Sequence, residues 1–284
     1  MKNTAILLIS CPDRKGIVAA IADFIFQHGG NILHADEHAD EGSDLFLMRV
    51  EFDPSEFDID LADFAKHFSP IAGKFGMKWR LARSTYRPKM VILVSKHDHC
   101  LVDLLYRHQS GELACDLPLI ISNHPDNKPI ADFYQIPFSV VSVSKENKRE
   151  AEQKILSLLK QHQPDFLVLA RYMQILSNEF VNEYPQRIIN IHHSFLPAFV
   201  GAKPYHQAFA RGVKLIGATS HYVTEVLDDG PIIEQDVVRI SHRDSVDDLL
   251  QKGRDLEKVV LSRAVRWYIE NRILLYGNKT VVFD

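Results

Sequence analysis

Residues 188–197 read IINIHHSFLP, an apolar run that ends on Asn190, His192, His193 and Ser194 before Pro197 stops it. As a strand over 188–192, it sends the side chains of Asn190 and His192 to one face, and those of Ile189, Ile191 and His193 to the other. Histidine carries protons near neutral pH, and an asparagine amide donates hydrogen bonds to an oxyanion. The pair therefore suits a reaction centre. It also suits a strand end that is merely polar where it meets solvent, and short motifs match by chance often.

Working upstream, strand-like runs at 90–95, 117–122, 139–143 and 166–170 alternate with helical stretches at 100–109, 130–134 and 145–161. This alternation predicts a mostly parallel sheet covered on both faces, with a ligand crevice beyond the carboxyl ends of its strands. IINIHH ends at that edge. Downstream, 215–223 pairs with 232–240 as a sheet extension, 246–275 is a long amphipathic helix, and 280–283 forms a closing strand.

RSTYRP, 83–88, is short, polar and ends in proline, and it separates this body from a front segment. There, strand 4–10 leads through CPDRKG into a helix whose Ile17, Ala20, Ile21, Phe24 and Ile25 recur at helical spacing. His28, Gly29 and Gly30 stop it. Strands 31–39 and 45–52, a helix over 55–75 with Pro70 disturbing its last turn, and a strand over 77–82 complete a βαββαβ order.

At 284 residues the chain has room for two ordinary domains, and 46% hydrophobic with 25% charged residues is a globular balance. A net charge of -4 and a pI near 6.4 argue against a phosphate-dominated nucleic-acid partner. Cys11, Cys100 and Cys115 are odd in number and widely spaced, the pattern of a reduced cytoplasmic protein. The opening MKNTAILLISC faintly imitates a lipoprotein signal, but its apolar run is short and continues into a helix pattern. We read it as a first strand. No run approaches the roughly 18 apolar residues of a membrane span.

The second informative stretch is GATSHYVTEVLDDGPIIEQDVV, residues 217–238. Its loop carries Glu225, Asp228 and Asp229, and a Gly-Pro turn returns the chain to a second strand. A loop carboxylate can orient a histidine or share its proton, although each acid taken singly suits a solvated loop. His221 either shapes a pocket or satisfies a buried hydrogen bond. His193 points away from His192 in a regular strand, and no compact ligand spacing implies a metal.

Two resemblances follow from these stretches. The βαββαβ order, the CPDRKGIV turn and GGNI make residues 1–83 similar to the ferredoxin-like ACT domain. This implies an amino-acid effector such as glycine or methionine near Asp13, Gly16 and Ile17, or else assembly alone, and a homodimer or a multiple of one. The series Asn190-x-His192, SFLPAFVGAKPYHQA and SHYVTEVLDDGP makes residues 88–284 similar to the folate-dependent formyltransferases. The whole is then an α/β chain with an ACT domain followed by a Rossmann-like, mostly parallel formyltransferase domain.

The second resemblance implies a catalytic trio of Asn190, His192 and Asp228. It also implies a folate-contacting segment PDFLVLARYMQILS, 164–177, whose Met173, Ile175 and Leu176 flank the pterin with His221 and Val223. Taken alone, those apolar residues suit core packing equally well. In glycinamide ribonucleotide formyltransferases a glycine-rich loop after the first strand cradles the acceptor's phosphate. Here the same place reads VSKHDHCLVDLL, with no glycine between Met90 and Ser110, so that close backbone approach is lost. Lys96, His97 and His99 guard the vacated place or are solvated loop residues.

The expectation is hydrolysis of 10-formyltetrahydrofolate by water, giving tetrahydrofolate and formate, balancing one-carbon units and supplying formate for purine synthesis. The folate is substrate, no separate cofactor is implied, and neither nucleic acid nor membrane is a partner. The alternatives are formyl transfer to a small amine such as glycinamide ribonucleotide, and a non-catalytic folate or amino-acid sensor.

Overall fold

The structure is a computed structural model that describes residues 3–198 and 204–284; residues 199–203 of the SFLPAFVGAKPYHQA motif lie outside the described residues. The chain divides into two compact units, residues 1–87 with 270–276 and 280–284, and residues 88–269 with 277–279.

The first unit has the expected order: β1 (Ala5–Pro12), α1 (Ile17–Gln27), β2 (Asn31–Asp40), β3 (Leu45–Asp53), α2 (Phe64–Phe75) and β4 (Lys78–Arg83). Its sheet runs β2-β3-β1-β4, with β1 antiparallel to both β3 and β4. Strand alternation divides β1. Leu7 and Ile9 join the core with Ile21, Phe24, Phe64 and Phe68 of the helices, while Ile6 and Leu8 form a second cluster on the other face. Helix α2 begins nine residues later than the expected 55, because Asp53 and Asp60 side chains take the amides of Ser55 and Ala62 and hold turns instead. It then continues through Pro70.

The second unit comprises β5 (Lys89–Val94), α3 (His99–Gln109), β6 (Asp116–Ser122), α4 (Lys128–Phe133), β7 (Phe138–Val140), α5 (Lys148–His162), β8 (Phe166–Ala170), α6 (Asn178–Glu183), β9 (Ile188–His192), α7 (Pro204–Arg211), β10 (Leu215–Tyr222), β11 (Ile232–Arg239) and α8 (Val246–Ile269). The short helices α6 and α7 are absent from the sequence reading. The seven strands lie in the order β11-β10-β9-β8-β5-β6-β7. Strands β5 to β9 pair in parallel, and β10 is antiparallel to both β9 and β11, as the predicted extension requires. Val91, Leu93, Leu167 and Leu169 pack on Ala151, Ile155 and Leu159 of α5. On the other face Phe166 meets Tyr268 of α8 at 4.3 Å between ring centroids. Both faces are therefore covered, and β9 is a buried interior strand whose carboxyl end opens at the edge.

The C-terminus departs from the sequence expectation. The long helix stops at Ile269, where Asn271 takes a φ of +54° and turns the chain, so Leu274 and Leu275 lie on a strand. Strands β12 (Ile273–Tyr276) and β13 (Lys279–Val282) form a hairpin. Leu274, Tyr276, Val281 and Phe283 cover Ile6, Leu8 and Leu47. The tail thus buries the second face of the front sheet, whereas the sequence grouped all of 88–284 in one domain. Among the described residues no helix is long and apolar enough to cross a membrane, and the three cysteines are free and buried.

Candidate active site

The register of β9 on β10 sets Thr219 opposite His192 and His221 opposite Asn190, and on its other side β10 shifts register against β11 between Ser220 and His221. The His221 Nδ1–H donates to the Tyr222 carbonyl at 2.9 Å, so its Nε2 lone pair is free to accept the Asn190 Nδ2–H at 3.1 Å. Burial lowers the His221 pKa, with the Tyr222 carbonyl opposing it, and keeps the ring neutral as this tautomer demands. Asn190 is thereby oriented with its carbonyl and second N–H unused by His221.

Asp228 arrives on the loop between β10 and β11. The loop closes at its neck, where the Tyr222 N–H donates to the Pro231 carbonyl at 2.9 Å. A Cβ at Gly230 would lie 1.7 Å from the Tyr222 carbonyl oxygen, which is why this approach takes glycine. Asp228 sits at φ +56°, a conformation aspartate tolerates better than most residues. Its Oδ2 lies 3.3 Å from His192 Nδ1, and its Oδ1 lies 3.7 Å from His221 Nε2. Burial pushes this carboxyl up, but the hydrogen bond and charge of His192 outweigh it and hold the pKa below the usual value.

His192 is 5% exposed, and its Nε2 is buried without a hydrogen-bond partner among the described residues. The ring is held from Nδ1 and presents Nε2. His193 does not face away as a regular strand implies: the strand ends at His192, and the two rings stack with centroids 5.2 Å apart. Burial first, and then the Arg171 charge, lowers His193 to a pKa of about 3, so it is neutral.

Asn190, His192, His221 and Asp228 line a cavity of about 580 Å³. Met173, Ile175, Leu176 and Val223 line it too. Met173 and Ile175 are 52% and 59% exposed, which separates them from the core, whereas Leu176 and Val223 also pack on the core beneath. The segment carrying them is braced at both ends. Ser95 Oγ accepts the Met173 N–H at 2.9 Å, and Glu152 accepts the Ser177 N–H at 2.9 Å. Of the other loop acids, Glu225 accepts from Asn182 and Asp229 is exposed.

The cavity has a second carboxylate that the sequence reading missed. Glu257 of α8 is 1% exposed and accepts His99 Nε2 at 2.7 Å and the Tyr205 hydroxyl at 2.8 Å, with Arg171 Nε 3.5 Å away. The signal was present: Glu257 stands among Gly253, Val260, Leu261 and Ala264 on the buried stripe of α8, where an acid needs partners. Burial pushes its carboxyl up, but His99, Arg171 and Tyr205 bring it below the usual value. His99, Cys100 and Glu257 place donor atoms within 4.8 Å of one another. Yet burial raises the Cys100 thiol well above its ordinary value, and the carboxylate already accepts two hydrogen bonds and faces the Arg171 charge, whose Nε has no hydrogen-bond partner among the described residues, so the group is a polar hub. His97 lines the cavity, and Lys96 is exposed.

In the front unit Asp13 and Gly16 are exposed, with Gly16 at φ +90° before α1. The Ile17 side chain is 2% exposed and packs in the core.

Residues 88–265 match the formyl transferase family model, and residues 5–67 match the ACT domain model. The chain is 58% identical over 284 residues, all of both chains, to a formyltetrahydrofolate deformylase of Synechocystis sp.. It is 47% identical to one of Bacillus subtilis, over 98% of this chain and 93% of that one. The crystal structure of a formyltetrahydrofolate deformylase from Pseudomonas syringae pv. tomato superposes with a TM-score of 0.97 at 51% identity, covering 100% of this chain and 95% of that one.

Proposed function

Since the chain belongs to the formyl transferase family and, over its full length, to the formyltetrahydrofolate deformylases, we propose that Asn190, His192 and Asp228 hydrolyse 10-formyltetrahydrofolate. The enzyme is a hydrolase whose products are tetrahydrofolate and formate, and its place is in one-carbon balance and formate supply for purine synthesis. The observation that carries the assignment of residues is the 3.3 Å pairing of Asp228 with His192 Nδ1, which leaves Nε2 unpartnered among the described residues in the cavity.

Asp228, ionised at neutral pH, positions a water and with His192 takes its proton as the oxygen attacks the formyl carbon. The free N–H of Asn190 and the protonated ring of His192 stabilise the oxyanion, each positioned donor contributing roughly 2.7 to 4 kcal/mol. The C–N10 bond then breaks, a proton goes to N10, and tetrahydrofolate leaves. His221 acts through Asn190 by fixing its amide. Met173, Ile175, Leu176 and Val223 give the pterin an apolar wall.

The front unit takes an amino-acid effector such as glycine or methionine at Asp13, Gly16 and the Ile17 backbone, and the protein assembles as a homodimer or a multiple of one. Its buried thiols suit the reducing cytoplasm. Incubation with 10-formyltetrahydrofolate and no amine tests the activity. Formate release is the expected result; release only on adding an amine, or binding without turnover, overturns it. Adding glycine or methionine to the same assay tests the effector, and gel filtration showing a stable monomer contradicts the assembly.

A further inference from the structure

The Glu257 hub plays no part in the chemistry above, yet it builds the wall of the same cavity on its other side. The segment between β5 and α3 supplies His97, the first residue of α3 is His99, the residue after β8 is Arg171, α7 supplies Tyr205, and α8 supplies Arg254 and Glu257. One carboxylate ties three of these segments to α8. Gly253, one turn before Glu257, makes this possible. A Cβ there would lie 2.2 Å from Tyr205 Cζ and 2.3 Å from its hydroxyl, so the ring rests directly on the helix backbone. A glycine inside a helix is less favourable than an alanine, and this close seat explains its presence.

The wall reaches the catalytic ring. Tyr205 lies 6.2 Å from His193, whose ring stacks on His192. It also carries the Arg171 and Arg254 guanidiniums. Arg171 and Arg254 both depress His97, after burial, and Arg171 depresses His193.

A formyl carbon accepts any nucleophile that reaches it. Attack by water gives formate, attack by a primary amine gives the N-formyl amine, and both break the C–N10 bond and leave a proton on N10. Access therefore selects the product. We propose that Glu257 is a specificity-determining positioning residue: by holding His99, Tyr205 and Arg171 as a packed wall, it excludes amines and reserves the formyl group for water. Water passes because it is small, whereas an amine carries a substituent that needs more room.

This inference rests on the deformylase reading, and one experiment separates the two. The full chain is incubated with 10-formyltetrahydrofolate with and without glycinamide, and formate and N-formylglycinamide are both quantified. Wild type is expected to give formate only. His99→Ala and Tyr205→Ala are expected to raise the N-formylglycinamide-to-formate ratio by at least about tenfold, the scale on which a pocket contact discriminates. Glu257→Gln and Tyr205→Phe are expected to move it the same way by less. Wild type releasing no formate without amine overturns the deformylase reading and the inference with it. Wild-type hydrolysis with unchanged ratios in the folded variants overturns the inference alone. Should an alanine variant fail to fold, the ratio in folded Tyr205→Phe or Glu257→Gln decides.

Discussion

Of the carboxylates that line the cavity, Asp228 and Glu257 have surroundings that assign them opposite uses. Glu257 stands on a helix, 1% exposed, with contacts of 2.7 and 2.8 Å that use both oxygens. Asp228 stands on a loop at φ +56°, with looser contacts of 3.3 and 3.7 Å to two histidines, one of which keeps a ring nitrogen unpartnered among the described residues. A fully satisfied acid on a rigid element builds structure. An acid whose partner keeps an open valence in a cavity is available for chemistry.

Asp228→Asn breaks this contrast most sharply. It keeps the shape of the loop and removes the charge that orients His192, so turnover should fall by on the order of 10³-fold, within the range of general-base losses. Folate affinity, measured by fluorescence titration, should change by less than about threefold, because the apolar wall is untouched. Turnover within tenfold of wild type would remove Asp228 from the mechanism. Asn190→Ala follows, with kcat expected to fall by about 10² as one oxyanion donor is lost and KM nearly constant. A rise in KM alone would make Asn190 a binding residue.

The two carboxylates also differ in how far the sequence announced them. Asp228 was singled out through the resemblance, whose paired motif is an N-x-H strand end and a loop aspartate before Gly-Pro; the loop alone left Glu225, Asp228 and Asp229 open, while the β9 and β10 boundaries were legible in plain alternation. The roles of His221 and Glu257 were not. The His221–Asn190 contact depends on the β9–β10 register, which leaves no mark in composition. Glu257 joins residues 86 positions apart along the chain, Arg171 and Glu257, through tertiary packing that no local pattern encodes. The same limit explains the C-terminus. Leu274 and Leu275 continue a helical apolar period, and only Asn271 in the left-handed region reveals that the chain has turned.

Glu257→Gln sharpens the structural half of the comparison. Breaking a buried ion pair by removing one charge costs about 3 to 5 kcal/mol, so the second unit should melt well below wild type in a thermal scan, while Asp228→Asn should melt near it. An unchanged melting temperature would deny Glu257 its role as a hub. The acid behaviour of Asp228 goes the other way. Its pKa is depressed below the ordinary 3.8, so its stabilising contribution is complete above that value and lost as pH falls through the depressed one. The stability difference between wild type and Asp228→Asn should therefore be flat at neutral pH and shrink only below about pH 4. A difference that changes near neutrality would assign the titration elsewhere.

The smallest expected effect tests the wall between the two acids. Met173 is half exposed although its backbone is pinned to Ser95, so its side chain is neither core nor freely mobile. If it flanks the pterin, Met173→Ala loses part of a side-chain contact worth roughly 1 kcal/mol, and KM for 10-formyltetrahydrofolate should rise about fivefold with kcat retained. Thermal stability should be nearly unchanged, since little buried area is lost. A large drop in melting temperature with KM unchanged would place Met173 in the packing instead. The segment of 164–177 would then support β8 without touching the substrate.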